Sequence, residues 1–277
     1  MTVLLMTALV SSGAFVAGLL GALTGLGGGL VIVPLLTIVF GVDLRYAVGA
    51  SLVSIIATSS GAAAAYVRAG YTNIRVGMLL EVATTIGALL GAYAFPFISP
   101  NIVAVVFAIV LLVTAVQSLR PGVEHVAKSS SALARRLRLA SAYPTPHGMQ
   151  PYEVQNVPAG LGLMLLAGVL SSLLGIGSGV VKVLAMDRAM RLPFKVSTTT
   201  SNFMIGVTAA ASAGVYLRRG YLNPVLALPV MLGVLAGALV GAHLLSRSPT
   251  KVLRPLFAAV MVVLAIEMLY KGLRGGL

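Results

Sequence analysis

Apolar stretches close to the length that crosses a lipid bilayer recur along this chain of 277 residues. They cover residues 3–23, 47–67, 76–97, 102–119, 157–174, 203–217, 225–245 and 256–270. A helix needs about 20 such residues to span the hydrocarbon core. The stretches are continuous rather than alternating, which excludes the strands of a transmembrane barrel. The sequence therefore predicts an all-α polytopic membrane protein.

The rarity and placement of charged residues support this prediction. Only 9% of the residues are charged and 58% are hydrophobic, whereas soluble domains carry about a quarter charged residues. The net charge of +13 comes from basic residues between the apolar stretches, as in cytoplasmic loops, so nucleic acid is not an expected partner. The chain has no cysteine, which excludes disulfides and thiol chemistry. The apolar start lacks the basic region of a signal peptide, and we expect a retained first helix.

The second half of the sequence repeats the first at an offset of 150 residues, without a gap. The stretch "GLGGGLV" at 25–31 aligns with "GIGSGVV" at 175–181. Further on, "YVRAGYTN" at 66–73 aligns with "YLRRGYLN" at 216–223. Matches that extend over so many residues without an insertion indicate an internal duplication rather than a shared composition.

We divide the chain accordingly into a first transmembrane repeat, a basic cytoplasmic linker and a second transmembrane repeat, which cover residues 1–119, 120–156 and 157–277. The linker is expected to be solvated and partly helical, with a regulatory or lipid-headgroup contact as the alternative. We expect each repeat to hold a glycine-broken helical hairpin plus three transmembrane helices, which makes the two repeats inverted. With the linker inside, this arrangement leaves more Lys and Arg in cytoplasmic loops than a parallel one does.

A cluster of glycines interrupts the first apolar stretch of each repeat. Its members are Gly25, Gly27, Gly28 and Gly29 in the first repeat, and Gly175, Gly177, Ser178 and Gly179 in the second. The apolar residues that follow would cross about half of the hydrocarbon core as a helix. Such half-helices would begin near the midplane, where unpaired N–H groups and helix dipoles favour an anion. Close packing through small residues is the alternative, but consecutive glycines face every side of a helix.

Few polar residues accompany these glycines. Lys182 falls in the first turn of the second half-helix and would attract an anion; a lysine that reaches the membrane surface is the alternative. Ser51 and Ser201 occupy equivalent positions of the two repeats, and Asn202 follows the second. These side chains would replace the hydration shell of an oxyanion, or serve as helix caps and interhelical hydrogen bonds.

Acidic residues are scarce, and one of them is a candidate proton carrier. Glu81 lies six residues beyond Arg75, about 9 Å along a helix, and would therefore lie below the headgroups. An interfacial ion pair with Arg75 or Arg68 is the alternative. The sequence has no zinc-protease motif, no Ser–His or Cys–His arrangement and no paired intramembrane carboxylates. We therefore expect neither an enzyme nor a bound metal or cofactor.

The paired glycine motifs resemble those of the TauE/SafE sulfite exporter family, part of the superfamily of toluene-sulfonate uptake permeases. The resemblance rests on "GALTGLGGGLVIVPLL" (21–36), "GIGSGVVKVLAM" (175–186), the "GASL" and "TTSN" stretches and the basic linker. It implies a multi-pass protein of the bacterial inner membrane that moves sulfite or organosulfonates such as sulfoacetate, in some members with the proton gradient. Ser178 and Leu184 depart from the pattern of the first repeat, which has Gly28 and Pro34 there.

We accordingly expect a secondary transporter that exports a small sulfur-containing anion. The anion would be bound near the midplane by the two half-helix N-termini and Lys182, with membrane lipid and protons as further partners. A passive anion channel is the alternative, because the same dipoles would attract anions without alternating access.

Overall fold

The computed structural model describes residues 3–24, 29–119, 129–145, 148–245 and 250–275, which are mainly helical. The first half contains α1 (Val3–Thr24), α2 (Gly29–Pro34), α3 (Leu44–Arg68), α4 (Ile74–Ala94) and α5 (Pro100–Leu119). The linker contains α6 (Ala132–Arg136), β1 (Ser141–Thr145) and β2 (Gly148–Tyr152). The second half contains α7 (Val157–Leu174), α8 (Gly179–Leu184), α9 (Phe194–Arg218), α10 (Pro224–Leu245) and α11 (Thr250–Arg274). The short helices α2 and α8 continue as π-helices over Leu35–Val39 and Ala185–Ala189.

Five helices among the described residues are long and apolar enough to cross a membrane, and they belong to α3, α4, α5, α7 and α10. Shorter apolar helices cover Leu5–Leu20 and Gly29–Val39. A helix satisfies its own backbone hydrogen bonds, which is a condition for lying in hydrocarbon. The chain is therefore an all-α multi-pass membrane protein, as its sequence predicts.

The helix bounds of the two halves differ by a constant shift. α8 begins at Gly179, 150 residues after the start of α2 at Gly29, and α9 begins at Phe194, 150 residues after the start of α3 at Leu44. The packing repeats as well: α1 lies along α10, and their counterparts, α7 and α4, lie along each other. Two further pairs, α3 with α9 and α5 with α11, join each helix to its own counterpart.

Glycines allow the paired helices to approach at backbone distance. A Cβ at Gly168 would clash with the carbonyl oxygen of Thr84, and one at Gly87 would clash with that of Leu165. Gly18 approaches the backbone of α10 in the same way. Lipid provides no hydrophobic force between helices, so close van der Waals contact of this kind is a main source of their association.

One end of the bundle, called the linker end here, comprises residues 71–73, 139–145, 148–156 and 189–200. The side-chain amide of Asn73 donates hydrogen bonds to the carbonyl oxygen of Leu139 at 2.9 Å and to the hydroxyl of Tyr152 at 2.8 Å. The backbone N–H of Asn73 donates to Oγ1 of Thr200 at 3.0 Å. The turn after α3, the linker and the start of α9 are thereby joined.

The opposite end, called the far end, comprises residues 37–49, 93–101, 219–221 and 271–275. The Arg219 guanidinium donates to the carbonyl oxygen of Tyr93 at 3.2 Å and lies over the ring of the same tyrosine. Nζ of Lys271 donates to the carbonyl oxygen of Thr37 at 3.5 Å. Residues from both halves of the chain therefore also meet at this end.

Each glycine-interrupted segment enters and leaves the bundle at one end. A Cβ at Gly13 in α1 would lie 3.5 Å from the ring of Phe40, just after the first half-helix. In the second half, a Cβ at Gly160 in α7 would clash with Met190, just after the second half-helix. The α1–α2 hairpin therefore opens at the far end, and the α7–α8 hairpin opens at the linker end.

The linker is folded onto its end of the bundle. Its two strands form an antiparallel hairpin in which Ser141 pairs with Tyr152. Tyr143, Tyr152 and Val154 are buried and pack in one cluster with Met190. The linker is partly helical at α6 and many of its side chains are exposed, as predicted. Tyr143, Tyr152 and Val154 are not solvated, because they cover apolar surface at the start of α7.

We expect Gly168→Ala to lower the free energy of unfolding by about 1–3 kcal/mol, because the added methyl group must push the backbones of α7 and α4 apart. Gly162→Ala is the matched control in the same helix, since nothing lies within 4 Å of its Cβ position. Thermal unfolding in detergent, followed by circular dichroism, measures both. Equal stability of the two variants would contradict the close helix approach.

Candidate functional site

The backbone between α7 and α8 leaves helical geometry in the interior of the bundle. Gly175, Gly177 and Ser178 have φ angles of +64°, +70° and +48°. The N–H of Gly175 donates to the carbonyl oxygen of Ser171 at 2.9 Å and closes α7. Left-handed backbone is costly for a residue with a side chain, so Ser178 is the strained member of this turn. The turn separates α7 from a half-helix that starts inside the protein.

The first N–H groups of α8 have no partner within their helix. The first i to i−4 hydrogen bond runs from the N–H of Lys182 to the carbonyl oxygen of Ser178 at 3.0 Å. The N–H groups of residues 179–181 are therefore not used by the helix. The side chain of Ser178 does not cap them, and its buried Oγ has no hydrogen-bond partner in the described part of the chain. This helix end consequently presents a partial positive charge inside the bundle.

The two glycine-interrupted segments touch each other. A Cβ at Gly29, the first residue of α2, would lie 3.1 Å from the carbonyl oxygen of Gly175 and would clash with Ile55. A Cβ at Gly177 would also contact Ile55, at 3.5 Å. The start of the first half-helix and the turn before the second therefore meet in the interior of the bundle. The predicted site residues Gly25, Gly27 and Gly28 lie outside the described residues.

Two of the predicted site serines bind carbonyl oxygens of the second glycine segment. Oγ of Ser51 donates to the carbonyl oxygen of Gly175 at 2.6 Å, and Oγ of Ser201 donates to that of Gly179 at 3.2 Å. A hydroxyl has one hydrogen to donate, so neither serine offers a donor to an anion in this conformation. Both serines hold the broken backbone in place. Asn202 is half-buried and forms no hydrogen bond with the described residues.

Lys182 is completely enclosed by protein. Its side chain is 0% exposed, and its Nζ donates to Oγ1 of Thr208 at 2.6 Å. The Thr208 hydroxyl in turn contacts Oε1 of Glu81 at 2.7 Å, and Oε2 of Glu81 lies 4.0 Å from the lysine Nζ. A lysine that reaches the membrane surface is therefore excluded. The three side chains form an ion pair bridged by a hydroxyl group in the interior of the bundle.

Glu81 comes from the face of α4 that packs against α7 and α9. Its carboxylate also accepts a hydrogen bond from Oγ1 of Thr85 at 3.2 Å. The alternative of an interfacial pair with Arg75 or Arg68 is wrong, because the Arg75 guanidinium donates instead to the carbonyl oxygen of Arg138 in the linker. The rotation of α4 about its axis turns Glu81 inward and Arg75 outward.

Thr208 is the residue of this cluster that sequence analysis missed. It lies seven residues after Ser201, two helical turns along the same face of α9, and that spacing is the signal that could have identified it. Its counterpart in the first half is Thr58, whereas Lys182 corresponds to Ile32 and Glu81 to Met231. The charged members of the cluster therefore occur once, although the scaffold around them occurs twice.

Glycine-broken half-helices that meet inside a multi-pass helical bundle, beside a buried ion pair, define a membrane transporter rather than an enzyme. The chain belongs to the family described as Sulfite exporter TauE/SafE, whose model matches residues 10–268. The match covers both halves of the chain and the linker between them.

The chain is similar to curated proteins that bear the name "probable membrane transporter protein". YunE of Bacillus subtilis is 26% identical, with 93% of this chain and 95% of YunE covered. MJ0441 of Methanocaldococcus jannaschii is 24% identical, with 92% of each chain covered. MamO of Paramagnetospirillum magneticum is 27% identical over 66% of this chain and 32% of its own length. No solved structure matches the chain significantly.

We expect Lys182→Met to lower the free energy of unfolding by roughly 3–5 kcal/mol, because it leaves the Glu81 carboxylate buried without its counterion. The double variant Lys182→Met/Glu81→Gln removes both charges and should recover most of this loss. Thermal unfolding of the single and double variants in detergent measures the coupling between the two residues. Additive losses would contradict a direct ion pair.

Proposed function

We propose that this protein is a secondary transporter of the bacterial inner membrane that exports a small sulfur-containing anion, such as sulfite or an organosulfonate like sulfoacetate. The observation that carries the proposal is Lys182, a fully buried cation in the first turn of a half-helix whose leading N–H groups have no partner within the helix and no side-chain cap. A positive helix end and a lysine together favour an anion in an interior that otherwise excludes charge. The sulfur chemistry of the cargo rests on the family.

The anion is proposed to bind between the two glycine segments. Gly29, Gly175, Gly177 and Gly179 allow a ligand to approach the backbone, because none of them has a side chain. The unpartnered hydroxyl of Ser178 adds a donor at the same turn. Ser51, Ser201 and Asn202 complete the surroundings, together with Gly25, Gly27 and Gly28 of the first repeat.

We further propose that the two halves are inverted repeats. The α1–α2 hairpin opens at the far end and the α7–α8 hairpin opens at the linker end, which supports opposite orientations of the halves. The pairing of α1 with α10 and of α4 with α7 also agrees with a two-fold relation between them. Inverted halves that share a central site can alternate access by rocking one helix group against the other.

Proton coupling is proposed to operate through Glu81. Lys182 and Glu81 are neutral as a pair, so an anion that binds at Lys182 introduces an unbalanced negative charge into a buried site. Protonation of Glu81 restores neutrality and releases the lysine from its counterion. Thr208 contacts both groups and would donate elsewhere once Glu81 carries a proton.

We expect purified protein in liposomes to show saturable flux of labelled sulfite or sulfoacetate, with sulfate as the comparison anion. Lys182→Met should reduce anion binding by about tenfold or more, since a charge-assisted hydrogen bond contributes roughly 1.5–3 kcal/mol. Arg136→Ala in the exposed part of the linker is the control and should leave the flux unchanged. Large single-channel currents without counterflow would identify a channel, and equal effects of the two variants would overturn the role of Lys182.

We expect Glu81→Gln to uncouple the anion flux from an imposed pH gradient while anion–anion exchange continues, because glutamine is neutral throughout the cycle. Counterflow and pH-driven uptake are measured on the same proteoliposomes. Glu267→Gln, at an exposed position of α11, is the matched control and should retain the response to the gradient. A Glu81→Gln protein that is still driven by the pH gradient would eliminate Glu81 as the proton carrier.

A further inference from the structure

A groove of about 480 Å³ lies at the side of the bundle, apart from the site described above. Three elements line it, namely the end of α5, the start of α7 and the second half-helix with its π-helical continuation. The lining residues are Gln117, Leu163, Val181, Leu184, Ala185, Arg188 and Ala189. Its volume is in the range of sites that hold small organic ligands.

The groove opens onto the lipid-facing surface of the protein. Leu163 in its lining is 38% exposed, and Leu166 and Val116 on the same two helices are each 50% exposed. Exposed aliphatic side chains on membrane-spanning helices face hydrocarbon rather than water. Lys182, by contrast, lies on another face of α8 and is fully buried, so the groove and the ion-pair site are separate.

Among the described residues that line the groove, only Arg188 is charged, and it lies near the membrane surface. The next residue, Ala189, accepts a hydrogen bond through its carbonyl oxygen from Asn156 at the linker end. Arg188 is exposed and forms no hydrogen bond or ion pair with the described residues. Val181 lies seven residues earlier, about 10 Å deeper along the helix. The groove thus runs from the exposed Arg188 guanidinium near the membrane surface to an apolar floor at Val181.

We propose that this groove binds an anionic phospholipid. Its phosphate would accept hydrogen bonds from the Arg188 guanidinium, whose planar fork matches phosphate oxygens. Gln117 would donate to the same headgroup from α5, and one acyl chain would lie against Leu163, Leu184 and Val181. The proposal does not depend on the identity of the transported anion.

The equivalent positions of the first half do not suit the same lipid. Ile38 stands where Arg188 stands in the second half, and Glu267 stands where Gln117 stands. The cation near these two positions is Lys271, whose Nζ already donates to a backbone carbonyl oxygen, and the Glu267 carboxylate repels a phosphate group. The comparison therefore assigns the lipid to the groove beside Arg188, at the linker end.

The chain contains no tryptophan, so a single introduced tryptophan reports on this groove alone. Leu163→Trp would be reconstituted into phosphatidylcholine vesicles that contain a minor fraction of phosphatidylglycerol, with bromine on the acyl chains of one lipid at a time. Leu228→Trp, on the exposed face of α10, is the matched reporter away from the groove. The thermal stability of each variant is checked beforehand.

We expect brominated phosphatidylglycerol to quench Leu163→Trp beyond its share of the lipid, with about fivefold higher relative affinity than phosphatidylcholine. Adding Arg188→Gln should abolish this preference, whereas Arg191→Gln should retain it. Leu228→Trp should be quenched in proportion to the lipid composition. Equal quenching by both lipids at Leu163→Trp, or a preference that survives Arg188→Gln, would overturn the proposal.

A second measurement needs no introduced reporter. Mass spectrometry of the unmodified chain, purified in mild detergent, should detect retained phosphatidylglycerol, and Arg188→Gln should lose it while Arg191→Gln keeps it. Retention that is the same in all three proteins would count against the groove even if Leu163→Trp did not fold.

Discussion

The structure depends on one constraint, which is that a backbone polar group inside a bilayer must find its partner within the protein. The break between α7 and α8 violates helical hydrogen bonding and is tolerated because α3 and α9 surround it. Ser51 and Ser201 satisfy the carbonyl oxygens of Gly175 and Gly179. At this break, the carbonyl oxygens of Gly175 and Gly179 are thus bound by side chains, whereas the first N–H groups of α8 have no hydrogen-bond partner within their own helix.

The two halves share a scaffold but differ in the charges it carries. The helices α2 and α8 have the same length and register, yet Lys182 corresponds to Ile32 and Glu81 to Met231. A second buried ion pair would add a further desolvation cost of several kcal/mol per ion. A single pair avoids that additional cost. The duplication therefore accounts for the helices around the ion pair, and the residues that differ between the two halves account for its charges.

The sequence predicts the helices and their interruptions well because these depend on local properties. Apolar length sets the spans, and the cluster around Gly175 and Gly177 marks the break. The sequence does not predict that Glu81 faces Lys182 or that Thr208 bridges them, because those contacts depend on how α4 and α9 rotate about their axes. The folded linker was missed for a similar reason: the apolar surface that Tyr143 and Tyr152 cover exists only after α4 and α7 have packed.

The attachment of the linker has a consequence for the two equivalent helices α4 and α10. Asn73 accepts a hydrogen bond from the N–H of Val76 at the start of α4 while its amide donates to Leu139 and Tyr152. Its counterpart at the far end, Asn223, caps α10 but has no such side-chain partners in the described part of the chain. Among the described residues, the start of α4 is therefore held by more side-chain hydrogen bonds than the start of α10.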